Sequence, residues 1–545
     1  MRGLATTVAA CMLFAGLVCA QPSASEEGIP VTDPLVVAKC GSCHGRDERG
    51  NMQRISWERT TPEGWQEALK RMILVNGVSL TPEEARAIVK YLSTSHGLAP
   101  EEAKPVMYDV ERRIHQETSI PNDNIGHACA RCHTFARALS WRRSRDDWKQ
   151  LADMHATRYK LPVSEEAIAY LAKVAPLHTP EWESWSARTR EPKLAGRWLV
   201  TASIPGRGKY YGELRVDSAG DEFNTDVHLT SLTDGSKIVR FGRGAVYGAY
   251  AWRGRSQGAQ PMSSAPDDPN NVAREVLWIA PDQSTAEGRW FWGQYQEFGI
   301  DVKLRRASSD PTVMMVDPPS LKTGSEASRV RLIGDGLPAS VTPADLNAGP
   351  GVIVRRIVSG TASEVIAEVD VASDAALGKR DVLLRGSVLP GAMAIYDRVD
   401  YIKVTPESAM AAFGDQTHAR GFQQFEAVAY QRGADEKPHT ADDVELGRLN
   451  SNDLTWSMEV FYEAPNSNTA FVGTVSATGF FTPAANSPNN NFDVWVIATS
   501  KNDKDKNGRP LVGKAYLVVT VPMYTLNGRR YVRDLDRWID DGPAQ

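Results

Sequence analysis

Two five-residue motifs carry the clearest chemistry in this sequence. Cys40-Gly41-Ser42-Cys43-His44 and Cys129-Ala130-Arg131-Cys132-His133 each set two thiols three positions apart, with an imidazole directly after the second. That spacing suits c-type haem attachment. Each thiol can add to one vinyl group of the same porphyrin while the histidine offers a nitrogen to the iron. Four-cysteine zinc sites and thioredoxin-like redox disulfides also use Cys-x-x-Cys pairs. Neither calls for a histidine after every pair, and a redox disulfide needs only one pair near a βαβ unit. The other two cysteines, Cys11 and Cys19, fall in an N-terminal apolar stretch, so none is left over for a structural disulfide. Two covalently bound haems c are therefore expected, held by Cys40, Cys43 and His44 and by Cys129, Cys132 and His133.

An electron-transfer haem takes a second axial ligand, usually Met or His. The chain downstream of the two motifs forms an internal repeat that points to this ligand. After His44 come a helical run from Trp65 to Val75, then Leu80-Thr81-Pro82-Glu83-Glu84 and an amphipathic segment through Ile88 to Leu92. After His133 come Trp148 to Thr157, then Pro162-Val163-Ser164-Glu165-Glu166 and Ile168 to Val174. In each copy a Thr or Ser near a Glu pair opens a segment of helical period, as a helix N-terminus should. Met72 lies seven residues after Trp65, and His155 seven after Trp148. Both stand two helical turns beyond the tryptophan on nearly the same face. The expected metal ligands are thus His44 and Met72 for the first haem, His133 and His155 for the second. Met154 is a direct rival of His155, and Met72 could be plain core. His96, His115 and His127 are further candidates, read as surface or propionate-contacting side chains.

The elements that carry these residues form the helical head of a long chain. Its 545 residues are several times a typical domain. The expected division is a signal peptide at 1–20, haem domains at 21–110 and 111–190, a β-barrel-like domain at 191–310, and two immunoglobulin-like domains at 311–398 and 399–545. Arg2, the apolar Leu4 to Val18 and the small residues ending at Ala20 read as an export signal cleaved before Gln21, and hence a periplasmic protein. A retained membrane anchor is the alternative. Beyond that stretch no apolar run approaches the roughly 18 residues of a membrane span. A net charge of −5 with 42% hydrophobic residues gives no sign of a nucleic-acid surface.

After about residue 190 short alternating runs between Gly, Pro, Asn and Asp take over. Trp198 to Ala202 and Tyr210 to Val216 flank Pro205-Gly206-Arg207-Gly208 as a hairpin. Further strands are expected at Lys237 to Phe241, Gly244 to Trp252, Glu275 to Ala280, Arg289 to Gln294 and Ile300 to Leu304, making an antiparallel barrel or sandwich. Trp278, Trp290, Phe291 and Trp292 read as packing rather than a ligand cage. A linker is expected at Asp317-Pro318-Pro319-Ser320. Beyond it, strands at Ser328 to Ile333, Val352 to Ile357, Glu364 to Val371 and Asp381 to Gly386 have the rhythm of an immunoglobulin-like sandwich. A second such module is expected from Tyr401 onward, with strands at Leu454 to Val460, Phe492 to Ala498 and Lys514 to Val521. His228, His418 and His439 are isolated, and no catalytic constellation stands out. The fold class is multidomain α plus β: a helical diheme cytochrome c region, then an antiparallel β-barrel or sandwich, then two immunoglobulin-like β-sandwiches.

The diheme head behind an export signal, the Trp148 to Tyr170 segment with its His155, Gly196-Arg197-Trp198 with Gly206 to Gly212, and the two sandwich modules together resemble the alpha subunit of quinohemoprotein amine dehydrogenase. The resemblance spans essentially the whole mature chain. It implies a heterotrimer with a β-propeller subunit and a small crosslinked subunit bearing a tryptophan-derived quinone. It also implies oxidative deamination of primary amines on that small subunit, with electrons leaving through this chain to an external carrier such as a cytochrome c or small copper protein. A quinone built from this chain's own residues would need spare crosslinking cysteines, and there are none, so no amine-oxidising residue is assigned here. Two other classes remain: a stand-alone diheme cytochrome whose sandwiches bind a partner, and a diheme peroxidase with one open haem site.

Overall fold

The computed structural model describes residues 27–106, 120–130, 133–188, 191–415, 418–462, 468–485 and 490–521. The expected signal peptide, His115 and Cys132 lie outside the described residues.

Most helices of the head begin where a small polar side chain takes a free backbone N–H. Helix α1 (Pro34–Cys40) is capped by Asp33, and α2 (Pro62–Asn76) by Thr61. In α3 (Pro82–Ser95) Thr81 and Glu84 form a reciprocal capping box, and a short α4 (Pro100–Ala103) follows. The second copy has α5 (Asp123–Cys129), α6 (Phe135–Leu139), α7 (Arg145–Tyr159) capped by Ser144, α8 (Glu165–Val174) capped by Ser164, and α9 (Pro180–Ser186). The repeat seen in the sequence is one of structure too. Trp65 and Trp148 are both buried, and their indole N–H groups donate to equivalent carbonyls at the end of the next long helix, His96 at 2.9 Å and Ala175 at 3.2 Å. Among the described residues no helix is long and apolar enough to cross a membrane.

The copies meet along a two-fold seam. Strand β1 (Glu58–Thr60) pairs antiparallel with β2 (Trp141–Arg143), register Glu58 to Arg143, Arg59 to Arg142, Thr60 to Trp141. Each strand runs directly into the N-cap of its tryptophan helix, so Arg59 and Arg142 hold equivalent positions and face each other across the axis. Glu102 lies between them. Its carboxylate accepts from Arg59 at 2.7 and 3.0 Å, from Arg142 at 3.2 Å and from Thr179 at 2.8 Å. Arg59 is 0% exposed; two guanidiniums share the one carboxylate, and their remaining N–H groups donate to carbonyls of Leu177, Gly97 and Leu139.

Residues 196–306 form a closed barrel of eight antiparallel strands: β3 (Gly196–Ile204), β4 (Gly208–Ala219), β5 (Glu222–Ser231), β6 (Lys237–Tyr247), β7 (Ala251–Gly258), β8 (Ala273–Ile279), β9 (Thr285–Trp292) and β10 (Phe298–Arg306), with β10 closing on β3. Closure removes the open edges a sandwich would leave. The expected strand at Gly244 to Trp252 is corrected: β6 runs on to Tyr247, and the chain turns at Gly248-Ala249 with φ of 54° and 64°. Trp290, Phe291 and Trp292 are buried in the barrel wall. Trp278 is half-buried, and its indole donates to the Pro100 carbonyl at 3.2 Å. The barrel and first haem copy share one core, with Trp65, Ile88 and Leu92 continuous with Trp198 and Ile300. At their junction Glu63 pairs with Arg253, and Arg274 lies 3.7 Å away.

Two further β modules complete the chain. Between residues 312 and 396, two four-stranded sheets enclose one core that includes Val313, Leu332, Val365, Leu384 and Ile395. The expected linker at 317–320 is corrected: Asp317 ends the first strand of this module, a cis peptide joins it to Pro318, and Ser320 begins the next strand. Between residues 401 and 520, three sheets surround a separate core with Val404, Phe425, Phe481 and Val494. Each module contains one parallel strand pair among the antiparallel ones.

Candidate haem sites

The first motif is wound around a single carbonyl. Helix α1 ends on Cys40, whose oxygen accepts from the N–H of Cys43 at 3.2 Å and of His44 at 2.9 Å. Cys40 is half-buried and Cys43 exposed. Burial, followed by the neighbouring Cys43, raises the Cys40 pKa. The His44 ring is held by Nδ1, 2.8 Å from the carbonyl of Gln53. As a donor to that oxygen, Nδ1 keeps its proton and Nε2 is the atom available to iron.

The second motif also begins at the end of a helix, α5, where Cys129 is the last helical residue. Burial pushes its thiol up to about 11. His133 holds Nδ1 2.8 Å from the Thr134 carbonyl. Cys129 packs on the apolar cluster of Trp148, Ala152 and Leu171.

Met72 and His155 occupy matching places. Helices α2 and α7 both close in a left-handed residue, Gly77 at φ 72° and Lys160 at φ 55°. The N–H groups of those residues donate to the carbonyls of Met72 and His155 respectively. His155, not Met154, is thus the counterpart of Met72. Its Nδ1 lies 2.8 Å from the Leu151 carbonyl, which leaves Nε2 for a metal. Met72 accepts a weak bond at sulfur from Asn76, 3.4 Å away. Beside these residues stand exposed apolar side chains, Leu74 at 61% and Val75 at 62% on α2, and Tyr159 at 63% on α7. The donor set and this apolar margin fit a porphyrin.

Among the other histidines, His127 is exposed, with Nδ1 2.7 Å from the Asp123 carbonyl. His96 needs a correction. It is 0% exposed, with both ring nitrogens engaged, by Ser95 Oγ at 2.8 Å and the Ile29 carbonyl at 3.1 Å. Burial lowers its pKa to about 4, so it is a neutral core side chain rather than a surface or propionate-contacting one.

Sequence reasoning missed the charged cluster at the seam. Arg143 lies 2.5 Å from Glu58 and also bonds Asp147, while Arg54 lies 3.5 Å from Glu58 and 3.7 Å from Asp147. Burial favours protonation of Glu58, but Arg143 and then Arg54 hold it below its ordinary value. Asp147 is the second carboxylate on a guanidinium already in use. Burial and the Glu58 charge push it up to about 6. The signal was present in the tandem Arg142-Arg143 just before the Ser144 cap.

Four family models match in chain order. The quinohemoprotein amine dehydrogenase alpha subunit haem-binding domain matches residues 31–170, and alpha subunit domains II, III and IV match 191–307, 310–397 and 402–528. No curated protein matches the chain. Among solved structures, a redesigned β-barrel shares 14% identity over 21% of this chain and 92% of its own, at a TM-score of 0.18. A second redesigned β-barrel shares 15% over 21% and 94%, at 0.17. A SusE-like surface-located polysaccharide-binding protein of Bacteroides thetaiotaomicron shares 10% over 59% and 54%, at 0.14. Likenesses this slight carry nothing about function. The four models, however, take up nearly all of the chain between 31 and 528 in unbroken order, and the chain belongs to the alpha subunits of quinohemoprotein amine dehydrogenase, with a haem-binding domain at its head.

Proposed function

We propose that this chain is the electron outlet of a periplasmic amine dehydrogenase, binding two haems c through Cys40 and Cys43 and through Cys129 and Cys132. The observation that carries this reading is the structural equivalence of Met72 and His155, each on a capped tryptophan helix behind a Cys-x-x-Cys-His motif. When bound, each haem supplies a one-electron couple. The protein does the rest. His44 and His133 present a nitrogen from one side, their tautomers fixed by the Gln53 and Thr134 carbonyls. Met72 and His155 would supply the second iron ligands, and Trp65 and Trp148 fix the helices on which they stand. A methionine thioether favours reduced iron, so the His133/His155 site has the lower potential.

In this reading electrons enter from a tryptophan-derived quinone on a small partner subunit, in a complex that also holds a β-propeller subunit. They leave to an external cytochrome c or small copper protein. The purified complex tests it. Co-purifying partner chains, amine-dependent haem reduction, and low-temperature spectra with one Met/His and one His/His ligand set are expected. His155→Ala should abolish the second set alone. Two identical ligand sets, or an isolated chain with full peroxidase activity, would overturn it.

A further inference from the structure

Among the side chains that touch both copies, one is an indole. Trp141, in β2, meets the ring of Trp65 in the first copy at 6.0 Å between centroids and 62° between planes. It also packs on the second copy's cluster of Trp148, Ala152 and Leu171, the cluster that carries Cys129. Trp65 in turn belongs to the core on which Cys40 packs. The contact is dry on the first copy's side, where Trp65 is 4% exposed.

The seam is symmetric only in part, since Thr60 is matched by Arg143. Counting from the caps Thr61 and Ser144, Arg59 matches Arg142 and Trp65 matches Trp148, yet the counterpart of Trp141 is Glu58. The ring joins the indoles of the two cores, which also share Leu139, into one contact chain. Arg143 lies against it, 4.4 Å from the Trp141 centroid and 5.5 Å from that of Trp148.

Building on the two-haem reading, we propose that Trp141, in edge contact with Trp65, is the bridge through which an electron passes between the haem of the second copy and that of the first. One ferrous haem loses one electron and one ferric haem gains it, with no proton moved. The guanidinium of Arg143 disfavours a radical cation on Trp141, so the indoles act as coupling medium and are not themselves oxidised.

The test uses the whole complex with both haems in place. After a one-electron reducing pulse, redistribution between the haems is followed by their separate absorption changes in wild type, Trp141→Phe and Trp141→Leu. The leucine variant is expected to slow redistribution several-fold with both midpoint potentials unchanged, and phenylalanine to stay near wild type. A leucine variant as fast as wild type would overturn the bridge. A shifted potential in that variant would also count against it, because the side chain would then be packing around a haem. A tryptophan radical signal during redistribution would refute the coupling-medium form. If only one haem titrates in the wild-type complex, the two-haem reading itself fails, which the same sample shows.

Discussion

Asp147 shows how one buried guanidinium divides two carboxylates. Glu58 and Asp147 both reach Arg143, and only one can be fully compensated. In the folded chain Asp147 is raised to about 6 from an ordinary 3.8, so between those values the native state holds a proton that the unfolded chain has released. This contribution therefore favours folding at the acid end of that window and is lost as pH rises through the upper value. Replacing Asp147 by Asn should flatten that part of the stability profile by on the order of 3 kcal/mol, read from urea unfolding of the haem-loaded protein at pH values on either side of the window. An unchanged slope would mean that Asp147 titrates normally. His96 acts in the opposite sense: its pKa is depressed to about 4, so its stability contribution is lost as pH falls from the ordinary histidine range toward that value.

At the level of elements, the two tryptophan helices differ at one informative position. Helix α2 stops on Gly77, whereas α7 stops on Lys160 in the same left-handed conformation. A side chain there meets its own backbone, a strain glycine avoids. Lys160→Gly is expected to raise stability by about 1 kcal/mol, visible as a higher melting temperature with unaltered haem spectra. Thr81 and Ser164 made two helix starts legible in the sequence, whereas the runs read from Trp65 and Trp148 begin earlier, at the caps Thr61 and Ser144. Strands were less legible. Strand β5 was overlooked although Phe223, Val227 and Leu229 alternate with Asn224, Asp226 and His228 as in a half-buried strand. The break expected after Phe241 was misplaced because Gly242-Arg243-Gly244 looks like a turn, while a Cβ on Gly244 would come within 2.4 Å of the Trp252 ring. That glycine makes room for an indole; it does not reverse the chain.

For the whole molecule, the order of units could be read from composition and motif spacing, but the contacts between units could not. The pairing of Arg59 with Arg142 through Glu102 joins residues far apart in the chain, and no local pattern announces it. The Glu63 link to the barrel is similar. Arg253 and then Arg274 outweigh burial there and hold that carboxylate down to about 2, so the link stays ionised through the neutral range. The two-fold seam has a consequence for a cut chain. Its strands, its buried arginines and its shared carboxylate hold the copies together without help from the peptide that connects them. A protease nick introduced between the copies should leave one particle of unchanged size on gel filtration, separating into two fragments only in denaturant; fragments that part in native buffer would show that covalent continuity, rather than the mutual grip of the halves, keeps the head in one piece.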